Sequence, residues 1–521
     1  MPTFASTETL KQAPSKRKTQ STRQQENHST RPKIGFVSLG CPKNLVDSEV
    51  MMGLLDRAGG QLTPHAEDAE ILIVNTCSFI ESAKQESVDA ILDMTRHKVA
   101  NGGKAQRLIV AGCLVERYRD EIRRNIPEVD AVVGTGELEA ILEAAGLTSP
   151  PAPVAPDSPF NILVSRAPSA DHQHSRPEGD HRQHSGRFSR EQWDGASATL
   201  PEYLYSDQTP RLLTTPRSSA YIKIAEGCDH PCAFCIIPQL RGKFRSRPLA
   251  SIVAEAERLI AQGVREITLI GQDTTCYGED LGLKDGLATL LDALAPLPGL
   301  KWLRFLYAYP NKVTTRLLET IARHATIAKY LDVPLQHAST SVLKRMKRGG
   351  TPDVFLRLIA KARTIVPGIV LRSTFIVGFP GESDEDFAQL ESFITAAQID
   401  WLGVFGYSDE EGAAAFSLAP SLKVPRRTIE ARRRRLMKRQ QKISAKAKAA
   451  WIGREVELLV EGQSDETELL WEGRTLCHAP EIDGKVYIND FGPHTTLVPG
   501  SFYRAQITES HDYDLVARII E

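Results

Sequence analysis

Residues 226–235 read EGCDHPCAFC, and this stretch decides how the rest of the chain is interpreted. Its three cysteines, Cys228, Cys232 and Cys235, have C-x3-C-x2-C spacing. Thiolates are the usual ligands of a cubane iron–sulfur cluster, and three of them leave the fourth iron open for a small molecule. A structural zinc site needs a fourth protein ligand. No second C-x2-C or H-x3-H pair follows. Zinc binding stays an alternative, because His230 lies inside the loop. The spacing favours a cluster.

Strands and helices alternate around and after this loop. We predict six strands with helical segments between them. The strands are Ala220–Ala225, Glu266–Gly271, Leu303–Ala308, Tyr330–Leu335, Ile369–Val377 and Trp401–Tyr407. Six strand–helix units predict an open, partial (β/α)6 barrel, and in such barrels the chemistry lies at the carboxyl ends of the strands. The three-cysteine loop follows the first strand, so it is expected at that end.

The chain before the barrel predicts a second α/β unit. Its strand-like segments are Ile34–Leu39, Ile71–Thr76, Leu108–Gly112 and Ala131–Gly134, and the alternation with helices predicts a doubly wound parallel sheet. Cys41, Cys77 and Cys113 follow the first three strands at intervals of 36 residues. Because the carboxyl ends of such strands converge on one crevice, these thiols predict a second three-thiolate iron–sulfur site. Three small buried core residues are the alternative. Cys276 and Cys477 are interpreted as structural.

The C-terminal part changes character twice. Residues 423–448 predict a basic helix with twelve Lys or Arg against Glu430, and residues 451–521 predict a small antiparallel β-barrel with Gly and Pro turns. The domains are therefore a disordered tail at 1–31, a cluster domain at 32–147, a low-complexity linker or insertion at 148–212, a barrel with its basic helix at 213–450, and the β-barrel at 451–521. The linker contains four histidines that could bind a metal, which are His172, His174, His181 and His184. Its composition favours a solvated segment instead.

Composition limits the class of protein. The 521 residues carry a net charge of −1 and are 41% hydrophobic, so the whole chain has no polyanion-binding signature and most of it can fold. Eight cysteines without an apolar leader segment indicate a reducing compartment, and we expect the cytoplasm. No apolar run approaches the roughly 20 residues that span a bilayer, so no membrane partner is expected. A transit peptide stays open for the N-terminal tail, although Glu8 and Glu26 interrupt its basic pattern.

Several motifs resemble those of the radical S-adenosylmethionine methylthiotransferases. They are GCPKNLVDSE at 40–49 with Cys77 and Cys113, the loop at 226–235, IIPQLRGKFRSR at 236–247 and IVGFPGE at 376–382. The match covers about 33–147 and 213–521, and the departures, the histidine-rich insertion and the long N-terminal tail, touch no motif. The resemblance implies an N-terminal methylthiotransferase cluster domain, a radical S-adenosylmethionine partial barrel and a C-terminal TRAM barrel.

The resemblance also implies the cofactors, which are two [4Fe–4S] clusters and two molecules of S-adenosylmethionine per turnover. Cys228, Cys232 and Cys235 would hold the cluster whose open iron binds S-adenosylmethionine, and cleavage of that molecule would give a radical that no side chain can supply. Cys41, Cys77 and Cys113 would hold the auxiliary cluster that carries or donates sulfur, and the second S-adenosylmethionine would supply the methyl group. No catalytic residue is assigned beyond the cluster ligands.

Other motif residues are candidates for binding S-adenosylmethionine. Phe234 could pack on the adenine, and the small residues around Gly378, Pro380 and Gly381 would let backbone approach the cofactor. Three polar residues near strand ends could bind its ribose or carboxylate, with ordinary polar strand ends as the alternative: Gln272, Gln336 and Arg372.

The family divides between enzymes that act on tRNA adenosine and one that acts on an aspartate of the twelfth small-subunit ribosomal protein. Residues 451–521 contain five bases and fourteen acids, a net charge of −9, whereas a polyanion-binding module should be positive. The acidic barrel favours a basic ribosomal protein, free or in the small subunit, through charge complementarity. The sequences of residues 40–48 and 239–242 also resemble those of the enzyme that acts on the ribosomal protein. We therefore predict methylthio insertion at the β-carbon of that aspartate.

Two other classes of function stay open. A tRNA adenosine methylthiotransferase is the nearer alternative, and a non-enzymatic iron–sulfur carrier or ribosome-binding factor is the remote one. The basic helix could contact ribosomal RNA, although packing against the acidic barrel is the interpretation favoured here. An electron donor and a sulfur source are the other expected partners.

Overall fold

The first domain is a five-stranded parallel sheet covered by helices. The structure is a computed structural model that describes residues 31–148, 201–464 and 467–521. The sheet order is β2-β1-β3-β4-β5, and the strands are β1 (Lys33–Ser38), β2 (Gln61–Thr63), β3 (Ile71–Thr76), β4 (Arg107–Gly112) and β5 (Ala131–Val133). The helices are α1 (Pro42–Arg57), α2 (Glu81–Thr95), α3 (Cys113–Asn125) and α4 (Ile141–Ala145). The predicted doubly wound sheet is confirmed. The three-residue edge strand β2 was missed because it is too short to show a pattern.

This strand order creates a crevice at one edge of the sheet. The chain places β2 on one side of β1 and then crosses to β3 on the other side, and ligands bind where such an order reverses. The parallel register pairs Ser38 with Asn75 and Thr76 with Gly112, so the carboxyl ends of β1, β3 and β4 lie side by side. A cysteine follows each of these three strand ends within three residues.

The second domain is the predicted partial barrel, and it is confirmed. Its six strands form two parallel sheets in the orders β10-β9-β6 and β11-β12-β13, and a parallel bridge from Leu303 to Ile327 joins the two. The barrel strands are β6 (Ser219–Lys223), β9 (Glu266–Ile270), β10 (Trp302–Phe305), β11 (Tyr330–Asp332), β12 (Val370–Val377) and β13 (Trp401–Gly406), while β7 (Ala225–Glu226) and β8 (Arg245–Ser246) form a small antiparallel ribbon.

Helices cover the outside of this barrel. They are α5 (Ile237–Arg241), α6 (Leu249–Ala261), α7 (Gly286–Leu294), α8 (Thr315–Arg323), α9 (Thr340–Arg345), α10 (Pro352–Ile365), α11 (Asp384–Ala397) and α12 (Arg426–Ala449). At the two open sides of the barrel, α1 packs against β6 and α12 packs against β13. Within the described residues, no helix is both long enough and apolar enough to cross a membrane.

The C-terminal domain is a closed five-stranded barrel in the order β14-β15-β16-β18-β17. Its strands are β14 (Glu455–Ser464), β15 (Thr467–Thr475), β16 (Val486–Asp490), β17 (Phe502–Ser510) and β18 (Leu515–Ile519). The pair β16–β18 runs parallel, a detail that the prediction of an antiparallel barrel did not include. The alternation of apolar residues in the sequence predicts strands at 454–460, 484–488, 502–508 and 515–520 but not β15, because charged residues interrupt the pattern of TELLWEGRT.

This small barrel is anchored to the amino-terminal ends of the larger barrel's strands. Arg474 Nη2 lies 2.7 Å from Glu266 Oε2 at the start of β9. The Tyr330 hydroxyl, at the start of β11, donates to Asp483 Oδ2 at 2.7 Å. Trp401 Nε1, at the start of β13, donates to a C-terminal backbone carbonyl, that of Cys477. The C-terminal domain therefore lies at the end of the barrel opposite to the cysteine loop.

The predicted linker at 148–212 is wrong for its last part. Residues 201–212 form an extended strap against α1, in which Tyr205 is only 3% exposed. Arg211 forms buried ion pairs with Glu49 of α1 and Glu255 of α6. These few anchoring residues are too sparse to resemble a core in the sequence. The four histidines of the linker and the predicted disordered tail, apart from Arg31, lie outside the described residues.

Candidate active site

The three cysteines of the first domain are held at neighbouring strand ends. Cys41 precedes α1, Cys77 follows β3, and Cys113 begins α3. The Ser87 hydroxyl donates to the Cys77 carbonyl at 2.9 Å, and the Ser78 hydroxyl donates to the Cys113 carbonyl at 3.0 Å. These hydrogen bonds fix the backbone of the two loops, and the thiols of Cys77 and Cys41 lie near enough to Cys113 to act on it electrostatically. Their joint role as cluster ligands stays a prediction.

A close approach between two of these loops requires a glycine. Gly40 has φ of +93°, in the left-handed region that favours glycine. A Cβ atom at Gly40 would lie 2.8 Å from the Cys77 Cβ and 3.2 Å from its sulfur. The residue before Cys41 therefore has to be small for the thiols to come together.

Arg241 of the second domain reaches into this crevice. Its side chain is buried, and its guanidinium donates to Asp47 Oδ2 at 2.5 Å and to Asn44 Oδ1 at 3.1 Å. Burial raises the pKa of the Cys113 thiol to about 12, and the Arg241 guanidinium beside it opposes that rise. Arg241 thus supplies positive charge where three thiolates would collect.

A buried network continues from Arg241 across the domain boundary. Lys223 Nζ pairs with Asp47 at 2.5 Å and also with Glu226. Gln272 Nε2 donates to Glu226 Oε1 at 2.5 Å. Burial favours protonation of Glu226, but the neighbouring Lys223 and Arg241 outweigh it and lower its pKa to about 2. Removing one member of such a buried network leaves a charge without its partner, so the network locks the two domains together.

The cysteine loop of the second domain is held by backbone contacts. The Cys228 amide donates to the Gly242 carbonyl at 3.2 Å, and the Ala233 amide donates to the Met346 carbonyl at 2.9 Å. The Ala415 amide in turn donates to the Ala233 carbonyl at 2.7 Å. Three separate segments therefore fix the loop, which begins one residue after the short strand β7.

A column of side chains supports the same loop. His230 stacks on Tyr309 with 3.8 Å between ring centroids, and the Arg348 guanidinium lies 4.0 Å from the centroid of the same ring. Arg348 Nη1 also lies 3.6 Å from the Cys232 sulfur. His230 Nε2 is 2.6 Å from Asp273 Oδ2, so its imidazole is already held on two sides.

The spread of the sulfur atoms bears on the zinc alternative. In the part of the chain that the structure describes, only His230, Asp273 and Cys276 bring three ligand atoms within 4.8 Å of one another. Direct hydrogen bonds of His230 and Cys276 to Asp273 account for that group. Two thiolates on one zinc would be at most about 4.6 Å apart, given bonds of about 2.3 Å. The wider spacing of each cysteine set suits ligands of different irons.

The thiol chemistry also fits iron–sulfur clusters. Burial raises the pKa of Cys228 to about 11 and that of Cys235 to about 12, and it raises the pKa of Cys77. A metal that binds these thiols displaces their protons. Arg241 and Arg348 place a cation beside each set. The residues present thus fit two clusters, one for each set of three cysteines.

The two sets of cysteines face one shared region. Ile236, the residue after Cys235, packs with Leu240 against Cys113. After β10, the segment Tyr307–Tyr309 also contacts both sides, since Tyr309 stacks beside the second set and Tyr307 lies under Lys43, two residues after Cys41. The Lys43 ammonium is 3.4 Å from the Tyr307 ring centroid. Burial opposes the charge of Lys43, but Tyr307 and Cys41 outweigh it and raise the pKa of Lys43.

Two non-glycine residues with left-handed backbone lie in this region. Tyr307 has φ of +64° and Gln336 has φ of +73°, and they follow the adjacent strands β10 and β11. Such conformations cost about 1–3 kcal/mol and cluster at functional sites. The Gln336 amide donates to the Thr374 carbonyl at 2.8 Å, which holds Gln336 across the mouth of the barrel.

Three of the other predicted cofactor contacts differ in what surrounds them. Phe234 is half-buried and packs against a small cluster that contains Phe379, and Gln272 has a buried Oε1 without a partner among the described residues. Arg372 lies in the first half of β12 rather than at its carboxyl end, and its Nη1 donates to Asp332 at 2.9 Å. Both Phe234 and Gln272 can face a ligand, whereas the Arg372 guanidinium is already paired.

The glycines of the 378–381 segment lie close to two helices. A Cβ atom at Gly378 would lie 2.3 Å from Ile429 of α12, and one at Gly381 would lie 3.2 Å from Arg345 Nε. Pro380 is buried between them. The close approach that the structure describes is to α12 and α9, and the approach of a cofactor to these residues stays a prediction.

The basic helix α12 does not form its ion pairs with the acidic barrel. In the described residues, the ion pairs of Arg432 are with Glu382 and Asp384, and those of Arg435 and Arg439 are with Glu391 of α11. The helix itself does pack against the acidic barrel, as the favoured interpretation had it, since α12 contacts β17 and Gln441 Nε2 donates to Asp512. These arginines, however, form their ion pairs elsewhere. Several of that barrel's acids are paired within their own domain, such as Glu461 with Arg474 and Glu472 with Lys485.

The sequence analysis gave no role to several residues that shape the site. Asp47 and Arg241 stand in quoted motifs, but their contact joins residues 194 positions apart. Tyr307, Tyr309 and Arg348 carry no motif signal at all. Only the tertiary structure brings these five residues to the cysteines.

Comparison with known families matches three parts of the chain. The model of the uncharacterized protein family UPF0004 matches residues 33–134, that of the radical SAM superfamily matches 222–394, and that of the TRAM domain matches 452–520. These matches fall on the three structural domains described above.

Relatives extend the match over nearly the whole chain. A ribosomal protein uS12 methylthiotransferase RimO from Koribacter versatilis is 64% identical over 95% of this chain and 98% of the relative. A protein of the same name from Solibacter usitatus is 53% identical over 94% of this chain and 95% of the relative. A solved radical S-adenosylmethionine methyltransferase, TsrM from Kitasatospora setae, is 17% identical, covers 72% of each chain and has a TM-score of 0.46. On the strength of the full-length relatives, this chain belongs to the RimO family of radical SAM methylthiotransferases.

Proposed function

We propose that this protein inserts a methylthio group at the β-carbon of an aspartate of ribosomal protein uS12. The full-length relatives carry that activity in their names. The observation that carries the proposal is the meeting of two cysteine sets, where Cys113 packs against the residue that follows Cys235. Hydrogen removal and sulfur insertion at one carbon require two centres near that carbon, and the closeness of the two cysteine sets supports such a pair.

The residues have separate roles in this proposal. Cys228, Cys232 and Cys235 hold one [4Fe–4S] cluster, and Cys41, Cys77 and Cys113 hold the other. When bound, the clusters and S-adenosylmethionine supply the hydrogen-abstracting radical, the sulfur and the methyl group. Arg241 and Arg348 balance the charge of the thiolates, and the column of His230 and Tyr309 keeps the second loop in place.

S-adenosylmethionine binds beside the second set of cysteines. Phe234 packs on the adenine, and Gln272 and Gln336 offer polar groups at the mouth of the barrel. The segment with Gly378, Pro380 and Gly381 shapes the wall of the site. Arg372 acts through Asp332, which accepts the Tyr307 amide at 2.8 Å, and so positions the Tyr307 backbone.

The partners follow from the reaction. The substrate is uS12, either free or in the small ribosomal subunit, and the reaction consumes electrons and sulfur from a donor of each kind. These partners place the protein in the cytoplasm. A tRNA adenosine substrate is the alternative, and the acidic C-terminal barrel argues against it because phosphate contacts require positive charge.

The test is an anaerobic assay of the reconstituted enzyme. Reductant, S-adenosylmethionine and sulfide are added, small ribosomal subunits and bulk tRNA are offered in parallel, and mass spectrometry follows the methylthio gain. We expect gain on an aspartate of uS12. Gain on tRNA alone would contradict the substrate, and no cleavage to 5′-deoxyadenosine would contradict the enzyme class.

Two triple variants separate the roles of the cysteine sets. Replacing Cys41, Cys77 and Cys113 by Ala should abolish methylthio transfer and leave cleavage of S-adenosylmethionine measurable. Replacing Cys228, Cys232 and Cys235 by Ala should abolish both. Equal effects of the two variants on cleavage would contradict the division of labour.

A further inference from the structure

Lys43 carries a positive charge that the described residues do not pair. It is the second residue of α1, two positions after Cys41, and it is half-buried. Its ammonium lies over the ring of Tyr307, 3.4 Å from the centroid, and no ion pair joins it to a carboxylate of the described chain. Lys223 and Arg241 nearby are both paired with Asp47. Lys43 is thus a cation with a ring beneath it and no acidic partner.

The position of this cation relates it to both cysteine sets. Tyr307 belongs to the segment whose other end, Tyr309, stacks on His230 inside the second cysteine loop. The Tyr307 amide is fixed by Asp332, and its carbonyl accepts from the Thr274 amide at 3.1 Å. The backbone of Tyr307 is therefore held on both its amide and its carbonyl, and its ring lies under the Lys43 ammonium, two residues after Cys41.

The chemistry of the substrate requires a cation at this place. In the proposed reaction, the β-carbon of an aspartate lies between the two sets of cysteines. The side-chain carboxylate is bonded directly to that carbon, so it lies in the same region and brings a negative charge with it. A buried carboxylate is costly unless it is paired and hydrogen-bonded, and an ammonium supplies short, charge-assisted hydrogen bonds.

We infer that Lys43 binds the side-chain carboxylate of the substrate aspartate and so selects this residue for modification. The inference rests on the proposed function and deepens it. The Tyr307 ring stabilises the ammonium through a cation–π contact while the substrate is absent. Adenosine has no carboxylate, and an asparagine has the same shape without the charge, so both leave Lys43 unpaired.

Peptide binding to the holoenzyme tests the inference without relying on turnover. Two fluorescently labelled peptides span the uS12 segment around the modified aspartate, one with the natural aspartate and one with asparagine at that position. The wild-type protein should bind the aspartate peptide about 10-fold or more tightly, as expected for a buried charged pair. Lys43→Met keeps the length of the side chain without its charge and should bind both peptides equally.

Controls keep the outcome specific to Lys43. Lys361→Met, on the exposed surface of α10, should keep the wild-type preference. Lys43→Arg should retain part of it, and Lys43→Gln replaces Lys43→Met if that variant does not load iron. All proteins are compared at equal iron and sulfide content. A Lys43→Met protein that still prefers the aspartate peptide, or a wild-type protein without a preference, overturns the inference.

The assay of the previous section separates this inference from the proposed function. If the wild-type enzyme leaves uS12 unmodified, the proposed function fails. If it modifies uS12 while Lys43→Met keeps the aspartate preference, only the role of Lys43 fails.

Discussion

At the scale of single residues, a charge is often supplied from a distant part of the chain. Arg241 belongs to the barrel domain, yet its guanidinium pairs with Asp47 and lies beside the thiols of the first domain. The six cysteines could be predicted from sequence because each follows a predicted strand or stands in a dense motif. The role of Arg241 could not be predicted, because it depends on how two domains dock.

Replacing Arg241 by Met should weaken both stability and iron binding at the first set of cysteines. The change leaves Asp47 with one fewer cation in a buried site, and breaking such a pair costs about 3–5 kcal/mol. The melting temperature should fall, and the iron content should drop toward that of a variant without Cys41, Cys77 and Cys113. Arg124→Met on the exposed side of α3 is the control. Unchanged iron content in Arg241→Met would contradict this role.

Lys448 makes stability depend on pH. Burial beside Trp401 lowers its pKa to about 8 from an ordinary 10.5. The unfolded chain therefore binds more protons than the folded one between about pH 8 and 10.5, and this contribution to stability rises with pH over that range. Lys448→Met should raise the melting temperature most at pH 7 and progressively less toward pH 10. Exposed Lys446→Met should show no such trend, and a gain that is equal at all pH values would refute the assignment.

At the scale of elements, small residues decide where helices can lie. The strands and most helices could be predicted from alternation, but the packing of α12 could not, because a basic helix offers little periodic signal. Its contacts became clear from Gly378 and Ile429, which touch across the end of β12. Glu382 connects the two sides, since its Oε2 accepts from the Gly378 amide and its Oε1 pairs with Arg432.

Gly378→Ala should destabilise the barrel and loosen α12. The new Cβ would lie 2.3 Å from Ile429 Cγ1, and φ at this position is +79°, so both overpacking, about 1–3 kcal/mol, and backbone strain, about 1–2 kcal/mol, act against it. The melting temperature should fall, and the rate of proteolysis within α12 should rise. Gly403→Ala, whose nearest contact would be 3.4 Å, is the matched control.

Removing the neighbour distinguishes the two causes. The double variant Gly378→Ala with Ile429→Ala should lose less stability than the sum of the single variants. The 2.3 Å contact with Ile429 Cγ1 disappears, and the strain and a 3.2 Å approach to the Cβ of residue 429 remain. Strict additivity would show that the contact with Ile429 is not responsible.

At the scale of the whole molecule, three domains that the sequence predicts separately form one arrangement that it does not predict. The contacts between them are made by polar residues at strand starts, such as Glu266, Tyr330 and Trp401. Such residues look like ordinary strand ends in a sequence. The net charge of the C-terminal barrel could be counted from sequence, whereas the use of Arg474 and Asp483 for docking could not.

Arg474→Met should destabilise the junction between the two barrels. Glu266, which is fully buried, would keep only Arg304 as a charged partner at 3.4 Å. Loss of a partner from a buried pair costs about 3–5 kcal/mol, so the melting temperature should fall clearly. Arg518→Met, on the exposed face of the same barrel, is the control. Equal melting temperatures for the two variants would show that this pair does not hold the junction.

The open sides of the larger barrel have a consequence for how the chain can be divided. In the described sheets, β6 and β13 each have a strand neighbour on one side only, and α1 and α12 pack against them. Unprotected edge strands pair with other molecules and lead to aggregation. A fragment that begins after the first domain would lose α1, and one that ends after β13 would lose α12. Neither helix lies between two of the six barrel strands in the chain, so a fragment cut from β6 to β13 should self-associate through these edges.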